Sequence, residues 1–161
     1  MARFTLPRDL YHGKGALEAL KTFKGKRAMV CVGGGSMKRF GFLDRAVQYL
    51  EEAGMEVKLF EGIEPDPSVE TVMKGAAAML EFEPDWIVAI GGGSPMDTAK
   101  GIGIVCTNPE FADVVSLEGV ADTKNKCLPI IALPTTAGTA AETTINYVII
   151  DEKRQQEMVC G

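Results

Sequence analysis

Three short segments carry the residues best able to do chemistry: Gly33-Gly34-Gly35-Ser36-Met37-Lys38-Arg39, Gly91-Gly92-Gly93-Ser94-Pro95-Met96-Asp97-Thr98-Ala99-Lys100 and Pro134-Thr135-Thr136-Ala137-Gly138-Thr139-Ala140-Ala141-Glu142. Consecutive glycines let the backbone turn tightly and approach a ligand with no Cβ in the way. Where a helix starts directly after them, its free N–H groups and positive dipole end face the turn, the arrangement that holds a phosphate. In the second segment Gly92, Gly93 and Ser94 are therefore expected to hold a pyrophosphate through backbone N–H groups. Asp97 either caps the following helix or hydrogen-bonds neutral donors of the ligand, such as an amide or a ribose. Lys100 reads as a helix-face or structural residue rather than a ligand.

The first segment matches neither the Gly-x-Gly-x-x-Gly fingerprint nor the Gly-x-x-x-x-Gly-Lys-Ser/Thr phosphate loop. It is either a tight strand-to-helix turn or an anion site made of backbone N–H groups, the Ser36 hydroxyl and the cations Lys38 and Arg39. Dinucleotide sites commonly use an acidic side chain near a strand end to grip the adenosine ribose hydroxyls. Gly33 and Gly34 leave no carboxylate there, and Ser36 and Lys38 suit a ribose 2′-phosphate, so NADP(H) is expected, with NAD as the alternative. In the third segment Thr135, Thr136 and Thr139 offer hydroxyls beside Gly138. It is either a polar connection or the third wall of the same site.

The elements that must position these segments follow from apolar patterning. Ala28–Val32, Met55–Phe60, Trp86–Ile90 and Leu128–Leu133 read as strands, Thr144–Ile150 as a fifth, and Glu157–Cys160 as the return strand of a hairpin across Asp151–Arg154. In Phe42–Ala53, Leu43, Ala46, Val47, Leu50 and Ala53 recur at helical spacing, with charges on the other face. Asp66-Pro67-Ser68 reads as a helix start with Asp66 as N-cap, and Met96–Cys106 as the helix after the second glycine run. Residues 107–126 read as a surface connection. Strands alternating with helices predict an α/β fold, a Rossmann-like parallel sheet with helices on both faces. All three glycine- or threonine-rich segments follow strands, so they should meet at one rim, beyond the carboxyl ends of the strands.

Bulk properties narrow the classes. A chain of 161 residues suits one domain, and 46% hydrophobic with 24% charged residues is ordinary for a globular protein. A net charge of −5 argues against nucleic acid or an anionic membrane as partner. No stretch reaches the roughly 20 apolar residues needed to span a bilayer, and Met1–Pro7 lacks an apolar signal core, so a cytoplasmic protein is expected. The four cysteines, at 31, 106, 127 and 160, form no Cys-x-x-Cys pair and read as buried free thiols. A lone histidine, His12, cannot build a transition-metal site by itself and reads as structural.

The second and third segments together resemble the iron-containing (group III) alcohol dehydrogenases, and the resemblance runs over essentially the whole chain. Asn108–Val114, Ser116–Gly119 and Thr144–Ile149 are most similar to the lactaldehyde reductase subgroup, as is the Ala140-Ala141 pair. The Gly33–Lys38 loop instead resembles the NADPH-dependent butanol dehydrogenases of the family, where NAD-using lactaldehyde reductases have an aspartate near Gly33. By resemblance, Gly92, Gly93, Ser94 and Asp97 serve the pyrophosphate and nicotinamide side of the cofactor. Thr135, Thr136 and Thr139 line the adenine and ribose side, and Val148 lies against the cofactor. Glu157 departs from the lysine usual in the family.

The family's metal, Fe2+ or another divalent ion, is held by an aspartate and three histidines of a following helical domain. The resemblance thus implies that residues 1–161 are the dinucleotide-binding domain, with the C-terminal metal-binding domain absent and no turnover by the chain alone. The whole enzyme would act on a small alcohol or aldehyde, and self-association into a homo-oligomer is expected. Other readings are a non-catalytic nucleotide-binding or oligomerisation module, and a dehydroquinate synthase-type lyase. Lyases of that type depart from the Ala99-Lys100 and Pro134–Glu142 patterns.

Overall fold

Uninterrupted apolar runs make the central strands, and glycines set their ends. A computed structural model describes residues 8–111 and 113–161, so the reading of Met1–Pro7 lies outside the described residues. The elements are β1 (Arg27–Val32), α1 (Ser36–Arg39), α2 (Phe42–Glu52), β2 (Glu56–Phe60), α3 (Val69–Phe82), β3 (Trp86–Gly91), α4 (Gly93–Thr107), β4 (Ile130–Pro134), β5 (Tyr147–Asp151) and β6 (Gln156–Cys160). Short 3-10 turns occupy Ala16–Thr22 and Val114–Leu117.

Four strands pair in parallel in the order β2-β1-β3-β4. Side chains alternate across the sheet, so β1 and β3 feed two cores. On one face Val30, Val32, Val88 and Ile90 meet Leu20 and the α2 residues Leu43, Ala46 and Leu50. On the other, Met29, Cys31, Ile87 and Ala89 meet Val72, Ala76 and Met79 of α3 and Ala99 and Ile102 of α4. Helices on both faces bear out the expected Rossmann-like architecture. Helices α3 and α4 pack closely because Gly75 has no side chain: a Cβ there would lie 2.2 Å from Ile102 Cδ1.

Several boundaries differ from the sequence reading, each for a local reason. Ser68, not Asp66, caps α3, because its hydroxyl accepts the Thr71 N–H at 3.1 Å. Asp66 instead takes a left-handed backbone, φ 54°. Helix α4 begins at Gly93 rather than Met96. Pro95 fits its first turn, where a missing N–H costs no intrahelical bond. Pro129 has no N–H to give a ladder, and β4 starts after it. The fifth strand starts at Tyr147 and leaves the parallel sheet to pair antiparallel with β6, the expected hairpin. That hairpin docks on the chain before α3, with Ile150 N–H donating to Pro67 O at 2.9 Å.

Residues 107–126 are more than a surface connection. Val114 and Leu117 are fully buried. Asn108, also buried, donates from Nδ2 to Ile104 O and Asn125 O and accepts the Lys124 and Asn125 N–H groups at Oδ1. One side chain thus closes the loop. All four cysteines are free; burial pushes the Cys31 and Cys127 thiols up to about 12, which keeps them un-ionised and inert. His12 is exposed. Among the described residues no helix is long and apolar enough to cross a membrane.

Candidate functional site

Strand register brings the three segments together. Val32 pairs with Ile90, so the turns after β1 and β3 leave the sheet side by side. Thr135 N–H donates to Gly91 O at 2.9 Å and draws in the third segment. Gly91 has φ 142°, and a Cβ on it would lie 2.9 Å from Pro95 Cγ, so only glycine fits. At Gly33 a Cβ would sit 3.2 Å from Ile63 O and 3.7 Å from Pro95 Cγ. At Gly92 it would meet Thr136 Oγ1 at 3.1 Å, and at Gly93 Thr139 Oγ1 at 3.4 Å. The three segments meet on one rim, at the carboxyl ends of the strands. Gly34, Ser36 and Lys38 are exposed beside Gly33, with Ser36 opening α1.

The rim's main chemical resource is the start of α4. Gly92 is its N-cap, no side chain caps it among the described residues, and its first turn holds no acid. The Gly92, Gly93 and Ser94 N–H groups have no partner within the helix, and Pro95 has no N–H to satisfy. Thr136 and Thr139 pack closely against Gly92 and Gly93, an approach that the missing Cβ atoms allow. Free N–H groups and the positive end of the helix dipole make this terminus attractive to an anion.

Asp97 does not cap α4; it is the helix's fifth residue. Its Oδ2 accepts the Val148 N–H at 3.0 Å, and Lys100 Nζ lies 3.6 Å from its Oδ1. The neutral donor it takes is the chain's own amide, and this bond ties Val148 to the rim. Burial pushes the Asp97 carboxyl up, against the Val148 N–H and the Lys100 charge. Burial likewise pushes Lys100 down, against Asp97. Lys100 donates to Asn146 O at 2.8 Å and to Thr144 Oγ1 at 3.2 Å, a structural use in keeping with its sequence reading. Glu157 is exposed on β6, opposite Ile150.

A fourth segment, residues 61–68, joins the rim; the sequence showed only a helix start in it, at Asp66-Pro67-Ser68. Ile63 N–H donates to Val32 O at 3.3 Å, and Asp66 N–H donates to Ser94 Oγ at 3.3 Å. Glu64 locks this segment onto α3: its carboxylate accepts the Thr71 hydroxyl at 2.7 and 2.8 Å and the Ser68 N–H at 2.9 Å. The signal was the Glu64-x-x-x-Ser68-x-x-Thr71 spacing, an acceptor placed one turn before a capping serine. Burial works to raise the Glu64 carboxyl, but the Thr71 and Ser68 hydrogen bonds outweigh it and hold it at about 2.

A carboxyl depressed on folding stabilises above its unfolded value, and that stability is lost as pH falls through its folded value. Glu64→Gln is therefore expected to cost about 1–2 kcal/mol at pH 7, discounted for partial exposure. It should also flatten the loss of stability between pH 4.5 and 2. Urea unfolding across that range checks both, and an unchanged slope would show that Glu64 does not act this way.

Among the described residues, no three His, Cys, Asp or Glu side chains gather where they could hold a metal ion.

Comparison with known proteins agrees with the geometry. A model of the family described as iron-containing alcohol dehydrogenase matches residues 7–161. The NADPH-dependent butanol dehydrogenase of Clostridium saccharobutylicum is 58% identical over 157 residues, covering 96% of this chain and 40% of that protein. The lactaldehyde reductase of Escherichia coli K12 is 40% identical over 161 residues, covering 98% and 42%. The crystal structure of a 1,3-propanediol oxidoreductase superposes with a TM-score of 0.89 at 34% identity, over 99% of this chain and 42% of that one. The chain thus spans about 40% of the length of the relatives it matches.

Proposed function

Because the chain belongs to the iron-containing alcohol dehydrogenase family, we propose that residues 1–161 form a dinucleotide-binding domain, part of a protein that interconverts a short-chain alcohol and its aldehyde. The observation that carries this reading is the uncapped α4 N-terminus, opened by Gly92 and Gly93 and roofed by Thr136 and Thr139. The bound nicotinamide supplies the acceptor or donor of hydride. The chain's own residues bind and orient. Gly92, Gly93 and Ser94 give N–H groups to the pyrophosphate, with the Ser94 hydroxyl held by Asp66 N–H. Thr135, Thr136 and Thr139 border the adenosine side. Asp97 fixes Val148, whose side chain faces the cofactor. The metal of the whole protein draws its ligands from elsewhere than these residues.

The dinucleotide is NADP(H). Gly33 and Gly34 carry no competing carboxylate, and Ser36 and Lys38 stand exposed at that end of the rim. A relative 58% identical to this chain is named for NADPH, which supports the same choice. Four free thiols suit a reducing compartment such as the cytoplasm. The half-exposed edge strand β4 and the exposed Val159 on β6 favour self-association.

Titration with NADPH and NADH tests the reading. NADPH is expected to bind at least about tenfold tighter, the order of one charged hydrogen bond. Gly33→Asp should erase or reverse that preference by setting a carboxylate against the 2′-phosphate. Equal affinities with an unmoved Gly33→Asp would rule out the NADP assignment, and no binding of either would rule out the domain's function. Light scattering on the same samples reads self-association as a mass above 17.3 kDa.

A further inference from the structure

The third segment lies over the start of α4, anchored at its beginning by the Thr135 N–H bond to Gly91 O, but few bonds hold it beyond Thr135. Its internal bonds are local: Thr143 N–H and Oγ1 both donate to Ala140 O, and Ala141 N–H donates to Thr139 Oγ1. Ala140 sits in the left-handed region, φ 51°, a strained state for a residue with a Cβ that persists only when its surroundings hold it. Among the described residues, only one side chain outside the stretch Thr136–Asn146 makes a hydrogen bond to it. That side chain is Lys100, through Asn146 O at 2.8 Å and Thr144 Oγ1 at 3.2 Å. Its third neighbour is Asp97 Oδ1 at 3.6 Å, and the Lys100 side chain is only 15% exposed. Two of the three ammonium donors are thus spent on this segment, and the Asp97 carboxylate balances the charge.

Lys100 and Asp97 stand one turn apart on α4 and act on neighbouring points of one backbone. Lys100 donates to the Asn146 carbonyl, and Asp97 accepts the Val148 amide. They grip the chain with opposite polarity on either side of the buried Tyr147. Pulling the strand entry toward α4 draws the preceding threonines over Gly92 and Gly93.

We propose that Lys100 is a positioning residue for dinucleotide binding: it ties Thr144–Asn146 to α4 and so holds Thr136 and Thr139 over the phosphate cradle. The proposal rests on the dinucleotide-binding reading above. Lys100→Met keeps the aliphatic stem and removes the donors. It is expected to weaken NADPH binding roughly tenfold, as for loss of one buried, hydrogen-bonded cation. It should also speed amide hydrogen exchange across Ala137–Tyr147 in the unliganded protein.

Thr144→Val removes one of the acceptors at an exposed site and should move both readouts the same way by a smaller amount, even if Lys100→Met does not fold. Faster exchange together with weaker binding supports the proposal. Unchanged exchange overturns it, and so does faster exchange with unchanged NADPH affinity. If the unsubstituted chain binds no dinucleotide, the functional reading fails, and the tether is judged by exchange alone.

Discussion

Gly92→Val is expected to lower dinucleotide affinity by at least about 100-fold while leaving the fold intact. The two halves of this expectation have separate causes. Gly92 has φ −84° and ψ −152°, an extended backbone open to valine without strain. Its side chain, however, enters the cradle. The Cβ would stand 3.1 Å from Thr136 Oγ1 and 3.3 Å from Thr136 Cγ2, and the two methyls would fill the approach to the Gly93 and Ser94 N–H groups. A phosphate shut out of a helix N-terminus forfeits charge-assisted hydrogen bonds of about 1.5–3 kcal/mol each, and about 2.7 kcal/mol is 100-fold. Calorimetric titration reads the affinity, and circular dichroism with thermal melting reads the fold. Wild-type affinity in Gly92→Val would show that ligand does not enter there. Gly91→Ala would fail as this control, since φ 142° and the 2.9 Å approach to Pro95 Cγ place its cost on the protein itself.

Ile102→Ala should destabilise the domain by about 3–4 kcal/mol. Ile102 is fully buried between α3, α4 and the sheet, and truncation of such a side chain costs its transfer energy plus the cavity left behind. Gly75 gives a sharper test. In the unsubstituted protein its added Cβ would lie 2.2 Å from Ile102 Cδ1 and 2.9 Å from Cγ1, so Gly75→Ala alone should destabilise by about 1–3 kcal/mol through overpacking. After Ile102→Ala those atoms are gone, and the same change should restore about 1 kcal/mol by filling space and improving helix propensity. Urea midpoints of the four proteins measure this reversal of sign. Additive effects would mean that the two helices do not meet through this pair.

Much of this was legible in the sequence because it is written in short-range patterns. The Trp86–Ile90 run and the Phe42–Ala53 periodicity each report a face or a burial, and both elements form within a residue of expectation. The glycine and threonine segments were legible for the same reason: a missing Cβ and a hydroxyl are local properties. Helix α4 starts at Gly93, three residues before Met96, because a proline is harmless in a first turn. Asp66 and Ser68 are both good caps by type, and the choice fell to Ser68 once Glu64 had taken its N–H. Lys100 does its work through partners that residue type does not reveal. The acceptor of Lys100 is a backbone oxygen 46 residues further on. Such contacts become readable only after the hairpin has docked.

The pairing of β1 with β3 reaches beyond stability. Gly33 and Gly91 adjoin only because Val32 faces Ile90, and the α2–β2–α3 excursion must close before those two strands can meet. Long-range closure of this kind is the slow, entropically costly part of assembling a parallel sheet. Competence to bind therefore arrives late in folding. A slip of one residue between β1 and β3 would exchange their two buried faces and also pull the glycine turns out of step. A ligand that recognises only chains in the correct register would favour that register during refolding by mass action.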